Sequence, residues 1–174
     1  MERCIEYTGY PSAEELENAP GVPSLEELKN KTLAVIECIE CIPCNPCEHA
    51  CPFGAITIGK CISDLPRLDT NKCRGCGACI TSCPGLAIFL IDMNYSPYSA
   101  LVKIPYELLP LPVEGEKVQC LDRKGKAVTS GTIRSVEKRK NSNKTYVIGV
   151  EIPKDFAMEV RNIHPSKKSL QVST

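Results

Sequence analysis

The chain has 174 residues, 43% hydrophobic and 24% charged, and its 21 basic and 21 acidic side chains cancel. This composition excludes wholesale disorder. The chain also lacks a run of about 18 apolar residues that would cross a membrane, and its first residues, MERCIEYTGYPSAEEL, lack the basic segment and apolar run of a secretory signal, so a cytoplasmic protein is expected.

Twelve cysteines admit a disulfide framework or metal binding. A disulfide framework needs an oxidising compartment to which nothing here directs the chain, so metal binding is expected. The zero net charge is unevenly divided. Residues 1–102 hold 7 basic and 13 acidic side chains (−6), and residues 103–174 hold 14 and 8 (+6). The split predicts two parts and disfavours a uniformly basic nucleic-acid surface.

Residues 1–31 contain Pro11, Pro20, Gly21 and Pro23, with two short helices expected after the N-caps Ser12 and Ser24. They read as an N-terminal arm, either a flexible lead-in or a strap that orders against a partner subunit. Residues 32–102 contain a repeat: Cys41, Cys44, Cys47, Cys51 and Pro52 recur as Cys73, Cys76, Cys79, Cys83 and Pro84, each 32 positions on, and Ala55-Ile56 recurs as Ala87-Ile88. Each unit reads as a ligand loop, a helical turn, Cys-Pro and a short β segment. The proline disfavours helical geometry at the cysteine before it and ends the turn.

Residues 103–112, KIPYELLPLP, hold three prolines and read as a stiff linker. Residues 113–164 turn to β patterning: Val118 to Cys120, Val128 to Val136, and the alternating TYVIGVEI, with a last strand at Val160–Ile163. Residues 165–174 read as a flexible tail.

Three closely spaced cysteines point into one concave loop, and their soft thiolates suit iron-sulfide cubes. Structural zinc is the competing reading, but its pattern is two C-x2-C knuckles a dozen or more residues apart, without a third cysteine or a trailing Cys-Pro. Cys38, three residues before Cys41, makes a run of four equally spaced cysteines. The x3-Cys-Pro ending and the 32-residue repeat place Cys41 in register with Cys73. Cys38 is then expected to be a small buried hydrophobe, with a redox or ligand-swap role as the alternative. Cys4, Cys61 and Cys120 read as free thiols. His49 reads as solvent-facing or capping, or else as tuning a nearby centre. The basic run Arg134, Lys138, Arg139, Lys140, Lys144 reads as a solvated turn, or as a docking patch for an acidic partner. With no phosphate-cradling loop and no nucleophile elbow, the chain is expected to carry no catalytic site of its own.

On these motifs residues 32–102 resemble the eight-cysteine, two-cluster bacterial-type ferredoxins. The resemblance implies an α+β fold in which a pseudo-twofold ferredoxin-type dicluster domain is followed, by analogy of strand order, by a small all-β SH3-like barrel at 113–164. It implies two 4Fe-4S clusters, one held by Cys41, Cys44, Cys47 and Cys83 and the other by Cys73, Cys76, Cys79 and Cys51. The whole layout is similar to the ferredoxin-like subunits of multi-subunit flavoprotein dehydrogenases of amino acids. The expected role is therefore an electron-transfer subunit in a hetero-oligomer of an anaerobe, with a flavin on a partner subunit and with neither nucleic acid nor membrane as partner. A freely diffusing two-cluster ferredoxin and a non-redox, cluster-stabilised binding module are the alternatives.

Overall fold

The computed structural model describes residues 4–139, 142 and 144–164. The expected tail at 165–174 lies outside them. Four short helices, α1 (Cys4–Thr8), α2 (Ala13–Glu17), α3 (Leu25–Asn30) and α4 (Pro46–Ala50), accompany nine strands. These are β1 (Leu33–Ile36), β2 (Ile56–Thr57), β3 (Arg67–Leu68), β4 (Ile88–Asp92), β5 (Ser99–Tyr106), β6 (Lys117–Leu121), β7 (Ala127–Lys138), β8 (Tyr146–Pro153) and β9 (Asn162–Ile163). No helix among the described residues is long and apolar enough to cross a membrane.

The 32-residue repeat is a real symmetry of the backbone. Strand β1 pairs with β4, Ile36 opposite Ile88 and Val35 opposite Phe89. Strand β3 pairs with β2, Leu68 opposite Ile56 and Arg67 opposite Thr57. Adding 32 to one member and subtracting it from the other turns the first pairing into the second. The bonds around the strands obey the same operation. Glu37 N–H donates to Ala87 O and Asp69 N–H to Ala55 O, both at 2.8 Å, while Gly54 N–H donates to Cys51 O and Leu86 N–H to Cys83 O, both at 3.2 Å. Leu86, with φ +52°, occupies the left-handed position that Gly54 fills at φ +58°.

Residues 1–31, expected as a flexible lead-in or a strap ordered by a partner, pack from Leu16 onward on their own chain. Ser12 and Ser24 cap α2 and α3 in capping boxes with Glu15 and Glu27, and Leu16, Ala19 and Leu28 are buried. Pro20 and Gly21 lie between the two units: Gly21 O accepts from Ile36 N–H at 2.9 Å and Pro20 O from Leu68 N–H at 3.1 Å. The approach is close enough that a Cβ on Gly21 would stand 2.7 Å from Ile36 Cβ and 2.8 Å from Ile36 O.

The two charge halves share one antiparallel sheet of seven strands, in the order β1-β4-β5-β8-β7-β6-β9. The expected linker begins inside it, because residues 103–106 are the second half of β5 and pair with β8 from Lys103 opposite Gly149 to Tyr106 opposite Tyr146. Pro105 is tolerated there because β4 covers β5 only from Leu101 to Lys103, so its missing N–H falls where one side of the strand is unpaired. β6 to β9 lie in the segments whose alternation predicts strands. Among the described residues the outer strands β1 and β9 do not pair, so the sheet stays open and no closed barrel forms. A single core, from Leu28 and Val35 through Val102 and Ile104 to Ile133, Val150 and Ile163, runs along it.

One buried ion cluster joins the ends of the chain. The carboxylate of Glu37, just after β1, accepts from Arg161 Nε (2.7 Å) on Oε1 and from Arg123 Nε (2.7 Å) on Oε2, and Arg123 Nη2 donates to Oε1 as well. Arg161 also donates to Ala157 O and Val160 O and lies over the Phe89 ring, and Arg123 donates to Met158 O. Burial pulls the Arg161 guanidinium down to about 10, with Glu37 opposing the shift.

Two stability outcomes follow from these contacts. Glu37→Ala leaves two guanidinium groups facing an uncompensated site and is expected to cost about 3–5 kcal/mol in anaerobic denaturant unfolding. Gly21→Ala forces β1 to shift and is expected to cost about 1–3 kcal/mol in the same assay.

Candidate metal centre

Cysteine sulfurs gather at two places on either side of the pseudo-twofold. At the first, Cys38, Cys44, Cys47 and Cys83 line one small cavity together with Ile36, Ile58, Pro66 and Ile88. At the second, Cys51, Cys73, Cys76 and Cys79 line another with Ala34, Ala55, Ile56 and Leu90. The mutual influence of the thiols agrees with this grouping. Burial pushes the Cys47 thiol up to about 11, helped by Cys83, Cys38 and Cys44. Burial pushes Cys79 up to about 12, helped by Cys73, Cys76 and Cys51.

The trailing cysteine of each unit crosses to the other unit's set. Cys51 ends α4 and Cys83 ends the short 3-10 turn Ile80–Ser82. Both are fixed by matching amide bonds to sulfur: Ala55 N–H to Cys51 Sγ at 3.3 Å and Ala87 N–H to Cys83 Sγ at 3.4 Å. Pro46 starts α4 where a missing N–H costs nothing.

Of the eight cysteines expected to bind clusters, the structure gathers Cys44, Cys47 and Cys83 at the first site and Cys51, Cys73, Cys76 and Cys79 at the second. Cys41 is the exception, lying outside the lining of the first cavity; it is exposed, as is Cys76 at the second site, but Cys76 lines its cavity. Cys38, expected to be a buried hydrophobe, is half-buried and lines it. Cys61 is exposed and Cys120 fully buried, its thiol pushed up to about 11 by burial. The side chain of Cys4 lies outside the described residues. His49 is exposed and meets the Asn45 side chain at 3.1 Å.

Sets of four soft sulfurs suit an iron-sulfide cube. Among the described residues no three His, Cys, Asp or Glu side chains converge as they would on one ion, whereas a cube keeps its thiolates apart at separate corners. Sulfurs grouped in this way repel one another as thiolates, so holding them ionised together calls for a cationic core.

Positive groups approach both sites from the C-terminal half, and sequence reasoning missed them. Arg139, expected in a solvated turn or docking patch, turns inward from the end of β7: its Nη2 donates to Cys76 O at 2.5 Å and would lie 3.1 Å from a Cβ on Gly77. Gly77 takes φ +71°, so glycine serves both the turn and the approach. Arg123 and the buried Arg161 share one pocket with Cys38, Cys44 and Cys83. The other basic residues behave as surface groups: Arg134 pairs with Glu151 at 2.6 Å and Lys138 lies over the Tyr146 ring. Lys140 lies outside the described residues. The arginine contacts span 63 to 124 residues of sequence, beyond any local pattern.

Residues 66–89, which contain the second cysteine run, match the family model of the 4Fe-4S binding domain. The chain is 44% identical over 41 residues to one subunit of the Na(+)-translocating ferredoxin:NAD(+) oxidoreductase complex of Acetobacterium woodii, an alignment covering 24% of this chain and 12% of that protein. The chain thus spans about an eighth of its relative's length. No solved structure matches it. The chain therefore carries a ferredoxin-like 4Fe-4S binding domain at its second cysteine run.

Proposed function

We propose that this chain is the iron-sulfur electron-transfer subunit of a larger oxidoreductase, with one 4Fe-4S cluster at each cysteine set. The observation that carries the reading is the exchange of trailing cysteines: a duplicated unit builds two four-sulfur sites, each completed by the other half, so the sites are held adjacent by the fold itself. A 4Fe-4S cube exchanges one electron, and two in one domain suit a relay between a two-electron donor and a one-electron acceptor.

The chain's own residues hold and tune. At the second site Cys51, Cys73, Cys76 and Cys79 supply the thiolates; at the first, Cys44, Cys47 and Cys83 supply three. The amides of Ala55 and Ala87, already directed at sulfur, stabilise the more negative reduced state, and so do the nearby guanidinium groups. Apolar neighbours such as Ile36, Ile56 and Ile88 surround the buried Cys47, Cys73 and Cys79, while Cys76 stays open to solvent.

The relative from Acetobacterium woodii is named as part of an oxidoreductase complex, which favours a hetero-oligomer here. The finer reading is a cytoplasmic assembly in which a flavoprotein dehydrogenase acting on an amino acid supplies the electrons and carries the flavin. It rests on the additional N-terminal and basic C-terminal segments, which a diffusing carrier does not need.

Anaerobic purification from the source cells tests both levels. About eight iron and eight sulfide per chain are expected, with visible absorption that bleaches on reduction and returns on reoxidation, and with a flavoprotein co-eluting in fixed ratio. Zinc in place of iron, or iron that does not cycle, would overturn electron transfer. A fully loaded lone monomer would replace the subunit by a diffusible ferredoxin.

A further inference from the structure

We infer that Cys38, and not Cys41, is the fourth cysteine of the first iron-sulfur site, with Cys41 left as a free thiol at the surface. The inference rests on the two-cluster reading above and changes the site that the repeat spacing implies.

The ligand loops begin from equivalent points. Glu37 and Asp69 are 32 residues apart, and their amides make equivalent bonds, to Ala87 O and Ala55 O. From there the backbones diverge. In the second unit Asp69 starts a turn: its side chain accepts from Asn71 N–H at 3.0 Å, and its carbonyl accepts from Lys72 N–H at 3.2 Å and from Cys73 N–H at 3.1 Å. That turn draws Cys73 inward and buries it.

In the first unit the Glu37 carboxylate is occupied by Arg123 and Arg161, and the bonds equivalent to those of Asp69 O are not made. The chain instead turns tightly a few residues later, with Ile42 N–H donating to Glu40 O at 2.9 Å. Cys41 sits at that turn and is exposed, as is Ile42. Cys38, immediately after the clamped Glu37, is left on the inner side. It lines the cavity with Cys44, Cys47 and Cys83.

The resulting ligand spacing at the first site is C-x5-C-x2-C, against C-x2-C-x2-C at the second. A wider first interval is possible because β1, fixed by its pairing to β4, ends at Ile36 and brings in Cys38 only two residues later. Cys38 would hold the group as a thiolate, its proton released to solvent.

The test uses the anaerobically purified full chain and two readouts. In wild-type protein, native alkylation with iodoacetamide followed by mass spectrometry is expected to label Cys41 and the exposed Cys61 while sparing Cys38, with Cys38 becoming reactive only after the iron is stripped. In variants, Cys41→Ser is expected to keep about eight iron and both reduced-cluster EPR signals. Cys38→Ser is expected to lose up to about half of the iron, or to shift the EPR signal of one cluster alone. Labelling of native Cys38 with protection of Cys41, or loss of iron in Cys41→Ser, would overturn the assignment, and so would a Cys38→Ser protein with unchanged iron and spectra. Should Cys38→Ser fail to fold, the wild-type alkylation pattern still decides. A wild-type protein with iron for only one cluster would instead overturn the two-cluster reading, separately from the choice between these cysteines.

Discussion

A single buried carboxylate sets the arrangement of this molecule. Glu37 follows directly on β1, and its two oxygens take Arg123 from the β6–β7 turn and Arg161 from just before β9. One acid against two guanidinium groups leaves a net positive charge beside the first sulfur site, where, on the two-cluster reading proposed above, reduction would add negative charge. The same carboxylate holds the start of the ligand loop, which decides which sulfur faces inward. Packing, redox electrostatics and ligand choice therefore meet at one side chain whose desolvation is tolerable only while all its bonds are made.

The duplication was legible in the sequence because the cysteines, the prolines and the Ala-Ile pairs repeat at one offset, and the backbone pairings obey it residue by residue. The capped helices at Ser12 and Ser24 were legible too, since capping boxes are local. What hid was the continuity of the sheet. Three prolines in ten residues read as a break, but Pro105 lies where β5 has a neighbour on one side only, so a missing amide costs it no bond. The charge split likewise suggested separate bodies, whereas the basic half supplies Arg123, Arg139 and Arg161 to the acidic half. The fold uses the opposite charges to join the halves.

The cysteine sets were partly legible for a related reason. Spacing counts residues and says nothing of the path between them. From Cys44 and Cys76 onward the two loops bring equivalent cysteines together and spacing suffices. Between Glu37 and Cys41 they differ, because Asp69 has a side chain short enough to close a turn on its own backbone, while Glu37 extends away to partners 86 and 124 residues distant. Only knowledge of those partners separates Cys38 from Cys41.

The distance in sequence between Glu37 and Arg161 also bears on when the protein acquires its metal. A nascent chain displays all twelve cysteines long before residue 161 is made, and until then the first loop lacks the clamp that orients it. The second loop, with its turn closed locally at Asp69, needs no such delay, although Arg139 joins it late as well. The two sites should therefore mature in sequence, the second preparing its shape during synthesis and the first only after nearly the whole chain has emerged and β9 has joined the sheet. In the interval the thiols of the first loop, at positions 38 to 47, stand open, and an unliganded thiol is the form that oxygen attacks.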